Sequence, residues 1–175
     1  MAIFEYKGRR PVIGDGCYIA DSAEVIGDVS LGEGCYVGPG AIIRGDYGRI
    51  RIGDRTAVEE NATIHARPGE EATITSDVTI GHGAIVHGVS EIGDFAVIGM
   101  GAIISDWARV GHWAAIGEGA VVKNRQEIPD GAIAVGVPAK VIGAVDEEYK
   151  ATWTKFKGLY VEIARTYRQD MKRIG

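Results

Sequence analysis

The sequence predicts an all-β solenoid, a parallel β-helix of six-residue repeats, followed by a C-terminal amphipathic α-helix. Three observations predict this fold: an aliphatic residue recurs every six positions, a small residue often follows it four positions later, and glycine often follows it directly. The 3.6-residue period of a helix and the alternation of a long strand do not fit a period of six. A short strand followed by a tight corner does, and three such repeats make one triangular coil.

The repeats fall into three blocks, covering residues 13–43, 52–64 and 74–128. We expect the two interruptions, 44–51 and 66–73, to be loops that leave the coil at the same corner, because each follows a third repeat. The aliphatic residues should point inward and the small residues should fill the corners. Glycine should supply the backbone angles that a corner demands.

Successive coils should lie at the strand spacing of about 4.8 Å, so residues 18 apart within a block are stacked neighbours. Cys17 and Cys35 are such a pair. Two cysteines are too few for a disulfide scaffold, and we therefore interpret them as buried free thiols.

The C-terminal segment has a different pattern. From about Asp146, apolar residues recur at spacings of three and four, which is typical of an amphipathic helix. We expect this helix to pack along one side of the solenoid, with its aromatic stripe serving mainly for packing. The chain thus divides into a solenoid, residues 1–143, and a helical segment, residues 144–175. The stripe consists of Tyr149, Trp153, Phe156, Tyr160, Ile163, Tyr167 and Met171.

Composition limits the function. The 175 residues are 46% hydrophobic, enough for a single core, and the net charge of -5 argues against binding nucleic acid, which needs clustered Lys and Arg. The chain shows neither a basic region followed by an apolar run at its start nor 18 uninterrupted apolar residues. We therefore expect no membrane association and a cytoplasmic location.

Three of the four histidines lie close together in the sequence. Counting repeats in threes from Ile13 places His65 and His87 directly after the inward aliphatic on the third side of consecutive coils. They should stack in one outward column, with Arg44 one coil earlier. His82 lies on the second side, two residues past its aliphatic, and should face away from that column within its own subunit.

A neighbouring copy can supply the missing histidine. A solenoid of triangular section closes into a three-fold ring when one side packs on another copy's adjacent side. Each interface would bring His65 and His87 of one subunit against His82 of the next, with Glu60 one coil below His82 and Glu59 beside it. Three histidines with an open fourth position are typical of a catalytic zinc site. The alternative is that they only form hydrogen bonds across an oligomer interface.

Together these residues resemble those of the gamma-class carbonic anhydrases. The resemblance implies a left-handed β-helix that forms a homotrimer, with zinc, or alternatively iron(II) or cobalt(II), at each subunit interface. It also implies reversible hydration of CO2 to bicarbonate by a metal-bound hydroxide. The resemblance covers nearly the whole chain and is carried by Arg44-Gly45-Asp46, Ile64-His65, Gly81-His82, Val86-His87-Gly88, the segment Gly136-Val137-Pro138-Ala139-Lys140 and the terminal helix.

By this resemblance, His65 and His87 would bind the metal from one subunit and His82 from the neighbouring subunit. Arg44 and Asp46 match an interfacial ion pair that would hold the trimer and shape the pocket. A further site residue, Tyr160, falls where related proteins place a tyrosine near the metal.

The sequence departs from the family at two places. A glutamine typically sits six residues before the first histidine and orients the hydroxide, but here that residue is Glu59, which cannot donate a hydrogen bond unless protonated. The next position, often aspartate, is Glu60. The chain also lacks the long acidic loop that carries a proton-shuttling glutamate and has only the short loop 67–71. It resembles a subtype without that loop, and a slow or inactive enzyme is an open alternative.

Two other functions remain open from the residues. A hexapeptide acyltransferase using acyl-CoA would need one histidine base beside a groove for the pantetheine arm. A non-catalytic, metal-binding trimeric scaffold would need the metal site without turnover.

Overall fold

The computed structural model describes residues 2–172 and residue 174, and it confirms the predicted fold class. The chain winds into a left-handed parallel β-helix with three faces, and a single long helix near its C-terminus packs against it. Met1, Arg173 and Gly175, which fall inside the predicted boundaries, lie outside the described residues.

Most strands have only two or three residues, because each repeat spends the rest of its length turning a corner. In chain order the strands are β1 (Ala2–Phe4), β2 (Val12–Ile13), β3 (Tyr18–Ile19), β4 (Glu24–Leu31), β5 (Tyr36–Val37), β6 (Ile42–Ile52), β7 (Ala57–Val58), β8 (Thr63–His65), β9 (Glu71–Ile74), β10 (Thr79–Ile80), β11 (Ile85–His87), β12 (Glu91–Ile92), β13 (Val97–Ile98), β14 (Ile103–Ile104), β15 (Arg109–Val110), β16 (Ala115–Ile116), β17 (Val121–Val122), β18 (Glu127–Ile128), β19 (Ala132–Val135) and β20 (Lys140–Ala144).

The first face contains β2, β9, β12, β15 and β18, the second face contains β3, β5, β7, β10, β13, β16 and β19, and the third face contains β8, β11, β14 and β17. The second face is closed at one end by β20, which pairs antiparallel to β19. Strands β4 and β6 belong to both the first and the third face, so these two faces form one continuous sheet.

The predicted loop at 44–51 is wrong, because β6 runs without a break through this segment. The reason is that β4 also crosses the corner and pairs with β6 on both sides of an irregularity between Gly27 and Val29. Backbone groups that a loop would leave to water are therefore paired between strands. At the second interruption the chain does leave the coil, over residues 66–70, before β9 begins.

The core is formed by the repeat aliphatics, as predicted. From Val25 to Ile128 each is at most 4% exposed, and the alanines of the corner positions are fully buried. Burying a side chain of this size contributes roughly 2 kcal/mol. Cys35 is buried too, but Cys17 is only partly buried because it lies in the coil that begins the solenoid. The prediction of two buried thiols is thus wrong for Cys17.

The glycines that directly follow the aliphatics have a different role from the predicted one. Gly99, for example, does not have a positive φ, and a Cβ on it would lie 2.6 Å from the carbonyl oxygen of Ile116 in the next coil. Its lack of a side chain permits close stacking of coils. The left-handed backbone angle occurs two residues later, at Gly101 with φ of +66°, and at Asn61 with φ of +60° in an earlier coil.

The helix α1 (Glu147–Asp170) begins where Asp146 Oδ1 accepts a hydrogen bond from the backbone N–H of Tyr149, 2.8 Å away. This cap, with acidic residues in the first turn, favours a helix start. The helix packs along one side of the solenoid as predicted, and that side is the second face. Its most buried side chains are Lys157 and Ala164. Part of the aromatic stripe faces solvent, since Phe156 is 50% exposed. Within the described residues, no helix is long and apolar enough to span a membrane.

Candidate functional site

The predicted outward column on the third face is confirmed. Arg44 pairs in register with His65, and His65 with His87, on strands β6, β8 and β11. The two imidazole rings lie 5.2 Å apart between centroids. Parallel strands place residues of equal register directly above one another, so two histidines that are 22 positions apart become neighbours.

Asp46 contacts two members of this column, Arg44 and His65. Its Oδ1 lies 3.0 Å from Nε2 of His65, and its Oδ2 accepts a hydrogen bond of 2.7 Å from the guanidinium of Arg44. Burial would raise the pKa of Asp46, but the hydrogen bonds from Arg44 and His65 hold it below its usual value. Burial lowers the pKa of His65, which favours the neutral imidazole that a metal ion requires. In the single chain, Arg44 and Asp46 pair with each other.

His82 forms a second cluster, at the corner between the second and third faces. Its Nδ1 lies 2.6 Å from Oε2 of Glu60, and its Nε2 lies 3.2 Å from Oε2 of Glu59. Glu59 is buried, and it also accepts the backbone N–H of His82 at 3.1 Å. The side chain of His82 remains 47% exposed, so it can contact a molecule outside the chain.

Two tyrosines support the carboxylates of this cluster. The hydroxyl of Tyr36 donates a hydrogen bond of 2.6 Å to Oε1 of Glu60. Burial would raise the pKa of Glu60, but this bond and the contact with His82 hold it below its usual value. Burial and a hydrogen bond to Glu59 raise the pKa of Tyr160. The structure therefore places Tyr160 beside the predicted site residues.

The predicted site residues thus form two separate clusters, one on the third face and one at the corner beside the second. Among residues 2–172 and 174, no three His, Cys, Asp or Glu side chains are grouped closely enough to hold a metal ion. A site with all three histidines needs residues from another copy, and this stays a prediction. His87 fits the role of a metal ligand directly, because Asp106 engages its Nδ1 and leaves Nε2 for the ion. In the single chain, Nε2 of His65 faces Asp46 and Nε2 of His82 faces Glu59, so an ion would replace these two contacts.

The sequence reasoning missed several residues that contact the predicted site directly or through one further side chain. Tyr36 bonds Glu60, Asp106 bonds His87, and Arg67 bonds Asp106. The 18-residue stacking rule could have found Asp106, which lies one coil above His87 and one position further along. Tyr36 and Arg67 reach their partners through side-chain conformations that the repeat does not specify.

A groove of about 610 Å³ lies between α1 and the second face and opens beside His82 and Glu59. We call it the helix groove. Its wall is mainly apolar, so it can hold a small apolar molecule or exclude water from the corner. The side chains that line it include Val97, Ile98, Met100, Ile116, Val135, Trp153, Phe156 and Tyr160.

Comparison with known proteins places the chain among hexapeptide-repeat proteins. A family described as "Bacterial transferase hexapeptide (six repeats)" matches residues 10–45. A carbonic anhydrase from Geobacillus kaustophilus is 36% identical over 95% of this chain and 91% of its own length. A Bacillus subtilis protein named as an uncharacterised transferase is 40% identical over 95% of this chain and 96% of its own.

A solved structure from Bacillus cereus, provisionally described as an acetyltransferase, is 36% identical and superposes with a TM-score of 0.94. The superposition covers 97% of this chain and 98% of that one. Names of both kinds therefore occur among proteins of the same fold. The similarity to a named carbonic anhydrase extends over nearly the whole of both chains. This chain carries the histidine column and the Arg44-Gly45-Asp46 segment. The chain belongs to the gamma-class carbonic anhydrase family of left-handed hexapeptide-repeat proteins.

Proposed function

We propose that this chain catalyses the reversible hydration of CO2 to bicarbonate at a divalent metal ion held between subunits of a homotrimer. His65 and His87 of one subunit and the partner subunit's His82 would hold the ion, which is zinc, or alternatively iron(II) or cobalt(II). The observation that carries the proposal is the pair of half-sites: two stacked imidazoles on the third face and one exposed imidazole, braced by two carboxylates, at the adjoining corner.

A metal ion bound by three imidazoles supplies a Lewis acid that activates water for attack on CO2. The chain's own residues orient the reactants. Glu59 lies beside Nε2 of His82, so its carboxylate can accept a hydrogen bond from the attacking water. Hydration of CO2 releases one proton, and Glu59 can receive it at Oε2.

The short loop after His65 does not place a free glutamate beside the histidines. Glu70 Oε2 accepts a hydrogen bond of 2.9 Å from the indole N–H of Trp107, and Glu71 lies 3.6 Å from the guanidinium of Arg51. Both carboxylates are thus engaged elsewhere. We therefore expect slower proton release than in relatives with a long acidic loop.

The interface site can be tested by metal content. We expect His65→Ala and His82→Ala each to lose the bound metal of the wild-type protein, and His112→Ala, at an exposed histidine outside both clusters, to retain it. Mixing and refolding the two deficient variants should restore metal to about a quarter of the sites, because randomly assembled rings pair one intact half-site with another at that frequency. If the mixture stays metal-free, the ligands do not come from two subunits.

Catalysis can be tested by stopped-flow CO2 hydration on protein loaded anaerobically with zinc, iron(II) or cobalt(II). We expect a rate above that of buffer that is lost in His82→Ala. A protein that binds metal but shows no rate with any of the three metals would instead be a non-catalytic scaffold.

One observation favours a second function, an acyltransferase using acyl-CoA. The helix groove lies beside His82, and its volume can hold the pantetheine arm of acyl-CoA. A structure of the same fold is provisionally described as an acetyltransferase. Against it, Glu59 and Glu60 lie within 3.2 Å of the two ring nitrogens of His82. Titration calorimetry with acetyl-CoA tests this alternative, which requires that acetyl-CoA binds. It also requires that His82→Ala abolishes this binding or slows acyl transfer.

A further inference from the structure

We propose that Asp106 and Arg67 are positioning residues for His87: they fix its ring proton on Nδ1, so that Nε2 carries the lone pair available to a metal ion. This inference rests on the proposed metal site for its purpose, but the proton position can be measured without metal.

The geometry begins with a carboxylate between two donors. Asp106 Oδ1 lies 2.6 Å from Nδ1 of His87, and Asp106 Oδ2 accepts a hydrogen bond of 2.6 Å from the guanidinium of Arg67. An ionised carboxylate only accepts hydrogen bonds, so Nδ1 must carry the hydrogen. A carboxylate on the far nitrogen of a metal-binding histidine fixes the tautomer and orients the ring.

Arg67 is itself held in place. It belongs to the short excursion after His65, and its guanidinium lies 4.5 Å from the centroid of the Trp107 ring, on which Arg125 also lies at 4.0 Å. The indole N–H of Trp107 donates to Glu70 in the same excursion. The excursion that in this chain lacks a shuttle glutamate therefore serves to place an arginine over Asp106.

Gly88, the residue after His87, is shaped for this contact. It has a φ of +54°, and a Cβ on it would lie 2.5 Å from Asp106 Oδ1 and 2.6 Å from the Cγ of Arg67. A side chain here would force Asp106 and Arg67 away from the imidazole. The local backbone and the ion pair thus depend on each other.

His112 provides an internal contrast. Its Nδ1 accepts a hydrogen bond of 3.0 Å from the backbone N–H of Asp94, so its ring proton must be on Nε2 when the ring is neutral. Two histidines that each neighbour an aspartate should therefore have opposite tautomers, Nδ1–H for His87 and Nε2–H for His112.

The first test is nitrogen NMR of metal-free, 15N-histidine-labelled full-length protein at about pH 9, well above the usual imidazole pKa of about 6.5. Resonances are assigned by their loss in His87→Gln and His112→Gln. We expect the Nδ1–H pattern for His87 and the Nε2–H pattern for His112. An Nε2–H pattern for His87 in the wild-type protein overturns the proposal, whether or not the protein binds metal.

The second test moves the ring proton of His87 from Nδ1 to Nε2. In Asp106→Asn, the amide oxygen should turn to Arg67, which can only donate, and the amide NH2 should then donate to Nδ1 of His87. The ring proton moves to Nε2, and we expect cobalt(II) affinity, measured by competition with a chelator, to fall 10- to 100-fold. Asp94→Asn is the matched control and should change neither affinity nor the tautomer of His87.

The double variant Asp106→Asn with Arg67→Ala frees the amide to turn its oxygen back to His87, so part of the cobalt(II) affinity should return. A merely structural role for Arg67 predicts further loss instead, and that result overturns its assignment. Unchanged affinity and tautomer in Asp106→Asn overturn the assignment of Asp106. Absence of cobalt(II) binding in the wild-type protein contradicts the proposed function alone, because the NMR result stands without metal.

Discussion

Lys157 is a lysine buried in an apolar environment. Its side chain is buried between α1 and the second face, where Nζ donates hydrogen bonds to Thr79 Oγ1 at 3.0 Å and to the carbonyl oxygen of Ala96 at 3.3 Å. Burial lowers its pKa to about 7, because the charges of Asp77 and Glu59 only partly oppose the loss of hydration. The neutral amine thus helps to fasten the helix to the solenoid.

This burial predicts a pH-dependent stability. Between pH 7 and about 10 the unfolded chain binds a proton at this lysine that the folded chain does not, so stability should rise with pH by about 1.4 kcal/mol per unit. Below pH 7 both states are protonated and the contribution of Lys157 is constant. We expect Lys157→Met to be more stable than the wild type at pH 7 and to lose this rise.

The measurement is urea unfolding at pH 7, 8 and 9 and at one protein concentration, since an oligomer's stability depends on concentration. Lys155→Met, at an exposed position of the same helix, is the control and should retain the wild-type slope. Equal slopes in Lys157→Met and the wild type would show that the buried amine stays protonated.

At the scale of single elements, the corners show what a six-residue repeat requires. Two glycines on one corner have different reasons to be glycine. A side chain on Gly99 would collide with the next coil, whereas a Cβ on Gly101 would meet nothing within 4 Å and only the positive φ restricts that position.

We predict that Gly99→Ala destabilises the protein by about 3 kcal/mol, because coils must separate to admit a methyl group. Gly101→Asn should cost only about 0.5 kcal/mol, because asparagine tolerates the left-handed region, as Asn61 already does on this corner. Thermal unfolding of the two variants checks this. If Gly101→Asn lowered the free energy of unfolding as much as Gly99→Ala, the backbone angle, and not the stacking distance, would be the reason that these corners need glycine.

The repeat period predicts nearly every strand of the solenoid, because inward aliphatics and buried corner alanines leave one register. It does not predict that β4 and β6 run through a corner. Breaks in a periodic pattern indicate only that the coil is interrupted. Whether the inserted residues form a loop or a paired strand depends on a partner strand elsewhere, and β4 supplies it. Asp46 owes its fixed place beside His65 to that pairing.

For the molecule as a whole, the sequence predicts which histidines stack and which one faces elsewhere, because register along parallel strands is a matter of counting. It does not predict the hydrogen bonds from Tyr36 to Glu60 or from Arg67 to Asp106. These depend on long side chains that cross between coils, and side-chain rotamers are not contained in a repeat period.

The third face carries apolar side chains where a subunit interface is expected. Ile85 and Ile103, one above the other on β11 and β14, are 43% and 36% exposed, and Met100 on the adjoining corner is 52% exposed. A cluster of exposed apolar residues is typical of a protein contact surface. It lies next to His87, where the proposed site needs the partner subunit.

We therefore predict that Ile103→Glu converts the proposed homotrimer to folded monomers that bind no metal, because it places a charge in this surface without touching a proposed ligand. Val12→Glu, at a 66% exposed residue on the first face, should leave the trimer and its metal intact. Sedimentation velocity at matched concentration, with circular dichroism and metal analysis of the same samples, distinguishes the outcomes. A folded Ile103→Glu monomer that keeps full metal content would place the site within one chain, whereas an unchanged trimer would place the interface on another face.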